Sequence, residues 1–175
     1  MSKVNRGKQF EDVVQKAFKE VPNTSVVRLH DQTTGYLGSS NHCDCIVYRE
    51  PYEYHIECKS VHGNTLSIHS VPKPDKYGVL HGFYGNITDT QWEGLLEKSQ
   101  IPGIFAGVLC WWVSKGVTRF IPIQALEYAR TKVGAKSIRY DDTDYNYYEV
   151  LGKKKRVFFD YDMAGLLDAL ERSRA

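Results

Sequence analysis

What this sequence has little of narrows it before any motif is read. No apolar run approaches the roughly 20 residues that a membrane-spanning helix needs. The opening Met1–Phe10 is polar and lacks the apolar centre of a signal peptide. Together these absences lead us to expect a cytoplasmic protein with no membrane partner. Charge of one sign is scarce as well: 23 Lys and Arg face 21 Asp and Glu, a net charge of +2. Affinity for a polyanion must then come from local basic clusters rather than bulk charge. Cysteine is limited to Cys43, Cys45, Cys58 and Cys110. The paired Cys-x2-Cys knuckles of structural zinc sites are missing, which disfavours a zinc site built from His42, Cys43, Cys45 and Cys58. Core packing is the expected use of these thiols. No internal repeat or low-complexity stretch divides the 175 residues, and 42% hydrophobic with 25% charged residues describes one soluble globular domain with a sizeable core.

The periodicity of the chain predicts an alternation of helices and strands. Phe10, Val13, Val14, Ala17, Phe18 and Val21 form one stripe of a first helix over Asn5–Glu20, ended by Pro22 and Asn23. Ser25–Leu29 reads as a strand, and Thr33–Asn41, with Gly35 and Gly38, as a loop. A hairpin follows: Cys43–Tyr48, a turn at Glu50–Glu53, then Tyr54–Lys59. Thr65–Val71 reads as a short edge strand and Pro72–Asn86 as a long irregular loop. A second helix starts near Thr88 or Asp89 with Trp92, Leu95 and Leu96 inward, and the apolar Gly103–Val113 is a central strand turning into Val117–Ile121. Ile123–Lys132 reads as a third helix, Ser137–Tyr148 as a polar, tyrosine-rich stretch and Gly152–Arg156 as a basic turn. Val157–Tyr161 is a last strand, and Asp162 caps a last helix carrying Leu166, Leu167 and Leu170.

The chemistry concentrates in the hairpin. If Glu50 pairs with Glu53, Asp44 lies opposite Lys59 and Ile46 opposite Glu57, and the period-two alternation of a strand puts Asp44, Glu57 and Lys59 on one face. Any even loop length keeps that parity. Diagonal cross-strand neighbours lie roughly 7–8 Å apart, a gap that two carboxylate arms and a metal ion span. Hard oxygen ligands favour Mg²⁺ or Mn²⁺, which suits phosphodiester hydrolysis, with Lys59 positioned to orient water or steady developing charge. The same alternation sends Cys43, Cys45 and Cys58 to the opposite face.

Helix, strand, acidic hairpin, helix, strand, taken with Asp44 and Glu57-Cys58-Lys59, resembles the PD-(D/E)XK nuclease superfamily. That resemblance implies an α/β fold with a mixed β-sheet flanked by helices, a restriction-endonuclease-like core. More narrowly, Asn5-Arg6-Gly7-Lys8-Gln9-Phe10-Glu11, the thirteen-position step from Asp44 to Glu57, and Gln91 heading the next helix are similar to RecU-type Holliday junction resolvases over roughly Val4 to Ala129. Residues 131–175 would extend that core. The resemblance implies Glu11, Asp44 and Glu57 as active-site acids, the latter two holding metal, Lys59 as the catalytic lysine and Gln91 as an auxiliary. A capping box over Thr88–Gln91 is the competing use of that glutamine. Arg6 would contact DNA phosphate, as would Lys8, and Lys73 and Lys76 in the long loop. The basic turn Lys153–Arg156 is a third such stretch.

The implied activity is a Mg²⁺-dependent endonuclease that resolves four-way junctions in DNA recombination and repair. It would work as a homodimer, because two symmetric cuts need two sites. A compact chain of this kind fits a bacteriophage or mobile-element version acting in a bacterial cell. A restriction, repair or transposon-end nuclease acting on duplex DNA is the alternative within the same chemistry, and a non-catalytic nucleic-acid-binding module the alternative outside it. The chain departs from RecU in three places: Cys43 stands where threonine is usual, Thr90 where histidine is common, and only Arg28–His42 occupies the place of the junction-entering stalk. The additional length falls instead at His62–Asn86.

Overall fold

The computed structural model describes residues 6–29 and 41–174. Asn5 of the expected first helix and residues 33–40 of the expected loop lie outside them. Helix α1 spans Arg6–Lys19 and buries the expected stripe, Phe10, Val14 and Phe18, with Val13 and Ala17 partly covered. Strands β1 (Ser25–Arg28), β2 (Cys45–Arg49) and β3 (Tyr52–Val61) then form an antiparallel meander. After β4 (Thr65–Ser67), the small hairpin β5 (Lys73–Pro74) and β6 (Leu80–His81), and helix α2 (Asp89–Ser99), the chain returns as β7 (Ile104–Trp112), parallel to β3. Strand β8 (Val117–Pro122) pairs antiparallel with β7, and α3 (Ile123–Tyr128) continues into a π-helical turn at Ala129–Val133.

The remaining elements are β9 (Ser137–Arg139), β10 (Tyr148–Glu149), β11 (Gly152–Lys154), β12 (Phe159–Tyr161) and α4 (Met163–Arg172). The main sheet has six strands in the order β1-β2-β3-β7-β8-β10, antiparallel except at the central β3–β7 pair. It is the mixed sheet flanked by helices that the sequence predicts. Several stretches without an expected strand acquire one: β9 pairs with the distant β4 and β10 with β8, while β5–β6 and β11–β12 form local hairpins in the long loop and at the basic turn.

The central strands explain the layering. In β7 nearly every side chain is apolar and buried, because helices cover both faces of the sheet there. Phe105, Leu109 and Trp111 face one core with α1 and α4, whereas Ala106, Val108, Cys110 and Trp112 face a second core with α2 and α3. At Gly107 a Cβ would meet the Ile121 carbonyl oxygen at 2.4 Å, so β8 approaches as closely as it does only over glycine.

The hairpin register differs from the assumed one. The two-residue turn is Glu50–Pro51, with Arg49 opposite Tyr52, so Ile46 faces His55 rather than Glu57. The shift is two residues, an even number, and parity survives. Cys43 does not follow the expected alternation: β2 begins only at Cys45, and Cys43 sits in the second core while Cys45 and Cys58 sit in the first. Without ladder pairing, nothing holds residue 43 to a strand's alternation.

Helix α4 closes the first core through Leu166, Leu167 and Leu170. It is tied to the hairpin where Arg49 and the Tyr54 hydroxyl both donate to Glu171 Oε1, at 2.8 and 2.5 Å. Leu167→Ala should therefore cost about 2–5 kcal/mol of unfolding free energy, the range for deleting a buried leucine side chain. Urea denaturation measures this, and a loss below about 1 kcal/mol would put α4 outside the cooperative core.

Candidate active site

The acidic centre lies where β2 stops short of its partner. Strand β3 runs ten residues and β2 only five, so among the described residues the later half of β3 has no antiparallel strand beside it. Asp44 fills the start of that gap. Its N–H donates to the Ile56 carbonyl (3.0 Å), its carbonyl accepts from Leu29 N–H (2.9 Å), and its carboxylate Oδ2 accepts from Cys58 N–H (2.7 Å). The carboxylate therefore occupies the position of a missing ladder partner at the end of β2, between the two faces of the sheet. Such a position brings Asp44 close enough to feel Glu11 from α1 as well as Glu57 from β3.

Glu57 is 2% exposed and points toward α2. Lys59 Nζ lies 2.8 Å from Glu57 Oε1, Gln91 Nε2 donates to the same oxygen at 2.6 Å, and Lys59 Nζ donates to Gln91 Oε1 at 3.1 Å. Glu57, Lys59 and Gln91 thus close a triangle. Gln91 is also the N3 residue of a capping box: its Oε1 accepts from Thr88 N–H (3.0 Å) and its own N–H donates to Thr88 Oγ (3.2 Å). The two sequence-level uses of Gln91 coexist, because an amide oxygen has two lone pairs and its nitrogen stays free to reach Glu57.

Glu57 Oε2, by contrast, is buried and has no hydrogen-bond partner among the described residues. Burial pushes the Glu57 carboxyl up to about 8, with Asp44 and Glu11 adding to the rise and Lys59 opposing it. Burial also raises Glu11, again with Asp44 contributing, and Arg28, 3.5 Å away, offsets part of this. Three carboxyl groups thus crowd one another around a single lysine. An orphaned, desolvated carboxylate oxygen beside further acidic oxygens is a donor set that a hard divalent cation satisfies. Asp44 and Glu57 are the residues that would hold it, with Glu11 adding to the negative charge around them.

Of the expected site residues, the structure brings Glu11, Asp44, Glu57, Lys59 and Gln91 into one electrostatic group. Arg6 and Lys8 are exposed on the first turn of α1. Lys73 and Lys76 are exposed in and beside the β5–β6 hairpin, Lys76 stacked 4.8 Å from the Tyr77 ring centre. These four basic residues do not touch the acidic triangle. Sequence reasoning missed Arg28, whose guanidinium holds both Glu11 and Asp12, at 3.5 and 2.6 Å. It missed His55 as well, which sits two residues before Glu57 on the same face.

Because the folded state raises the Glu57 pKa from 4.5 to about 8, it holds that proton more tightly than the unfolded chain does. Stability of the metal-free protein should fall as pH rises through this window. Glutamine mimics the protonated acid. In chelator, Glu57→Gln should melt close to wild type at pH 5 and at least about 3 °C above it at pH 8.5, the shift that roughly 1 kcal/mol produces in a domain of this size. A melting difference identical at both pH values would mean that Glu57 stays ionised.

No protein-family model matches this chain, and no curated protein matches it. Among solved structures it is similar to Hjc of Archaeoglobus fulgidus, a Holliday junction resolvase from an archaeal hyperthermophile. That match has 19% identity and a TM-score of 0.42, over 68% of this chain and 78% of that one. It is also similar to I-Ssp6803I, a bacterial homing endonuclease, at 15% identity and a TM-score of 0.46, over 99% of this chain and 97% of that one. At these identities and scores neither likeness assigns an activity.

Proposed function

We propose that this chain is a divalent-metal-dependent DNA endonuclease of the PD-(D/E)XK type, with the four-way junction as its preferred substrate and a homodimer as its working form. The observation that carries the chemistry is the closed triangle of Glu57, Lys59 and Gln91 beside Asp44, with one Glu57 oxygen buried and unpartnered. A structural ion pair would satisfy both oxygens; this one leaves an acceptor without a partner among the described residues. Mg²⁺, or Mn²⁺ in its place, would be held by Asp44 and Glu57 and would supply Lewis-acid polarisation of the scissile phosphate.

The chain's own residues do the rest. Gln91, fixed by the helix cap, holds Glu57 and Lys59 in one geometry without needing to reorganise. Lys59, partly exposed at the rim of the triangle, is placed to orient the attacking water and to stabilise charge that develops on the phosphate. Intact Asp44, Glu57 and Lys59 argue against a non-catalytic binding module. DNA affinity falls to local clusters. A groove of about 630 Å³ between α1 and the β11–β12 hairpin is rimmed by Arg6, Lys16, Lys155 and Arg156, alongside Glu20 and Asp160. The β5–β6 hairpin presents Lys73 and Lys76.

Cleavage of junction, flap and linear DNA, each with and without Mg²⁺, tests the proposal. Wild type should cut the junction fastest and only with metal, and Asp44→Asn should abolish cutting while DNA binding persists. Lys59→Ala should lower the single-turnover rate at least 100-fold, the size of a lost transition-state contact, with affinity little changed. Metal-dependent cutting of linear duplex at the junction rate would replace junction resolution with a restriction or repair role. Cutting by Asp44→Asn at the wild-type rate would overturn the site.

Substrate contacts are tested separately. Replacing Lys73 and Lys76 by alanine should weaken junction binding and reduce the salt slope of the affinity by about one unit per lost phosphate contact. An unchanged slope would take the β5–β6 hairpin out of the DNA interface.

A further inference from the structure

On the face of the sheet that carries Glu57, a second group of side chains converges, with softer donor atoms. His42 and Cys43 lie on the segment that leads into β2, and His55 lies on β3. His42 Nε2 and His55 Nδ1 are 2.6 Å apart, their rings stacked with centroids at 4.9 Å. With Cys43 Sγ added, the ligating atoms of all three residues fall within 4.8 Å of one another. Cys43 and His55 are each 2% exposed, and His42 is half-buried.

Two further features fit this cluster to a ligand. Glu53 Oε1 lies 2.5 Å from His55 Nε2, which keeps the ring proton on that nitrogen and turns a bare Nδ1 toward His42 and Cys43. A carboxylate behind the imidazole is the usual outer partner of a metal-bound histidine. From the other side α2 passes directly over His42: a Cβ at Gly94 would come within 2.4 Å of the His42 Cβ, so this packing requires glycine. The cluster is therefore walled by β3 beneath and α2 above.

We propose that His42, Cys43 and His55 form a zinc site, separate from the acidic centre, that clamps the segment carrying Asp44 onto β3. Two imidazole nitrogens and one thiolate are donors of the softness that selects zinc, whereas magnesium demands oxygen. A tetrahedral ion with Zn–N near 2.0–2.1 Å separates two nitrogens by about 3.3 Å, so the two rings need only part by a small side-chain rotation. Water completes the fourth position. On binding, the Cys43 thiol gives its proton to solvent and the His42 ring proton moves from Nε2 to Nδ1, so one proton leaves per ion bound. The clamp acts on function through position: Asp44 directly follows Cys43, and ladder pairing of β2 starts only after it, at Cys45.

The test uses the full chain, stripped with chelator and titrated with Co²⁺ as an optical probe, then with Zn²⁺ in competition. The expected result is one cobalt per chain with thiolate-to-cobalt charge-transfer absorption, bleached by one equivalent of zinc. The band should be unchanged in Asp44→Asn and absent in Cys43→Ser. Glu53→Gln should weaken zinc about 10–100-fold, the usual cost of losing an outer-shell partner; being at the surface, it serves as the test should Cys43→Ser fail to fold. Calorimetry in buffers of different ionisation enthalpy should report one proton released. Absence of stoichiometric uptake by wild type, persistence of the band in Cys43→Ser, or unchanged zinc affinity in Glu53→Gln would overturn the site and leave His42 and His55 as a hydrogen-bonded pair. Zinc uptake without DNA cleavage would sink the nuclease reading alone, and cleavage without zinc uptake would sink this one alone.

Discussion

Everything in this site depends on the burial of one carboxylate. Glu57 sits on β3, a strand covered on both faces, where an unpaired charge is expensive. Lys59 and Gln91 together satisfy one of its oxygens and leave the other, among the described residues, without a hydrogen-bond partner. Such a group is stable in the fold only as a neutral acid or as a ligand. The same desolvation that raises its pKa therefore also makes its second oxygen available for a cation, and a surface glutamate in the same sequence pattern would do neither.

That burial requires α2. The helix covers the β3 face, and its first turn is fixed by a capping box whose Gln91 also completes the triangle with Glu57 and Lys59. The parallel alignment of β7 beside β3 provides the second wall, since its run of buried apolar residues excludes water from the middle of the sheet. Asp44 reaches the same place by a different route. It is positioned by the early end of β2, where the backbone of β3 still has an N–H to offer, so a strand boundary rather than a rotamer sets one acid of the pair.

Hard and soft donors are interleaved along the two strands. Cys43 precedes Asp44 and His55 stands two positions before Glu57, so one short segment of hairpin carries both the oxygen-rich centre and the nitrogen–sulfur cluster. On β3, His55 stands nearer the hairpin turn and Glu57 nearer the open end, whereas on the incoming segment His42, which packs under Gly94, and Cys43 lie farther from the turn than Asp44. As proposed above, the two sets would select different cations at neighbouring positions.

The placement of Glu57 and Lys59 on one face was determined by sequence alone, because residues two apart in one strand share a face. The two-residue shift of the hairpin register leaves that placement untouched. The helical stripe of α1, the apolar run of β7 and the cap at Thr88 were equally legible, since each is a local pattern. Tertiary structure decided the rest. It moved Cys43 to the second core, because alternation has no hold where ladder pairing has not begun. It made a strand of Ser137–Arg139, whose partner Thr65–Ser67 is distant in the chain. It brought His55 against His42, and Glu11 into the electrostatic reach of Asp44, relations across 13 and 33 positions that no periodicity encodes. Sequence could name the acids; their desolvation, and with it their chemistry, arises only when helices close over the sheet.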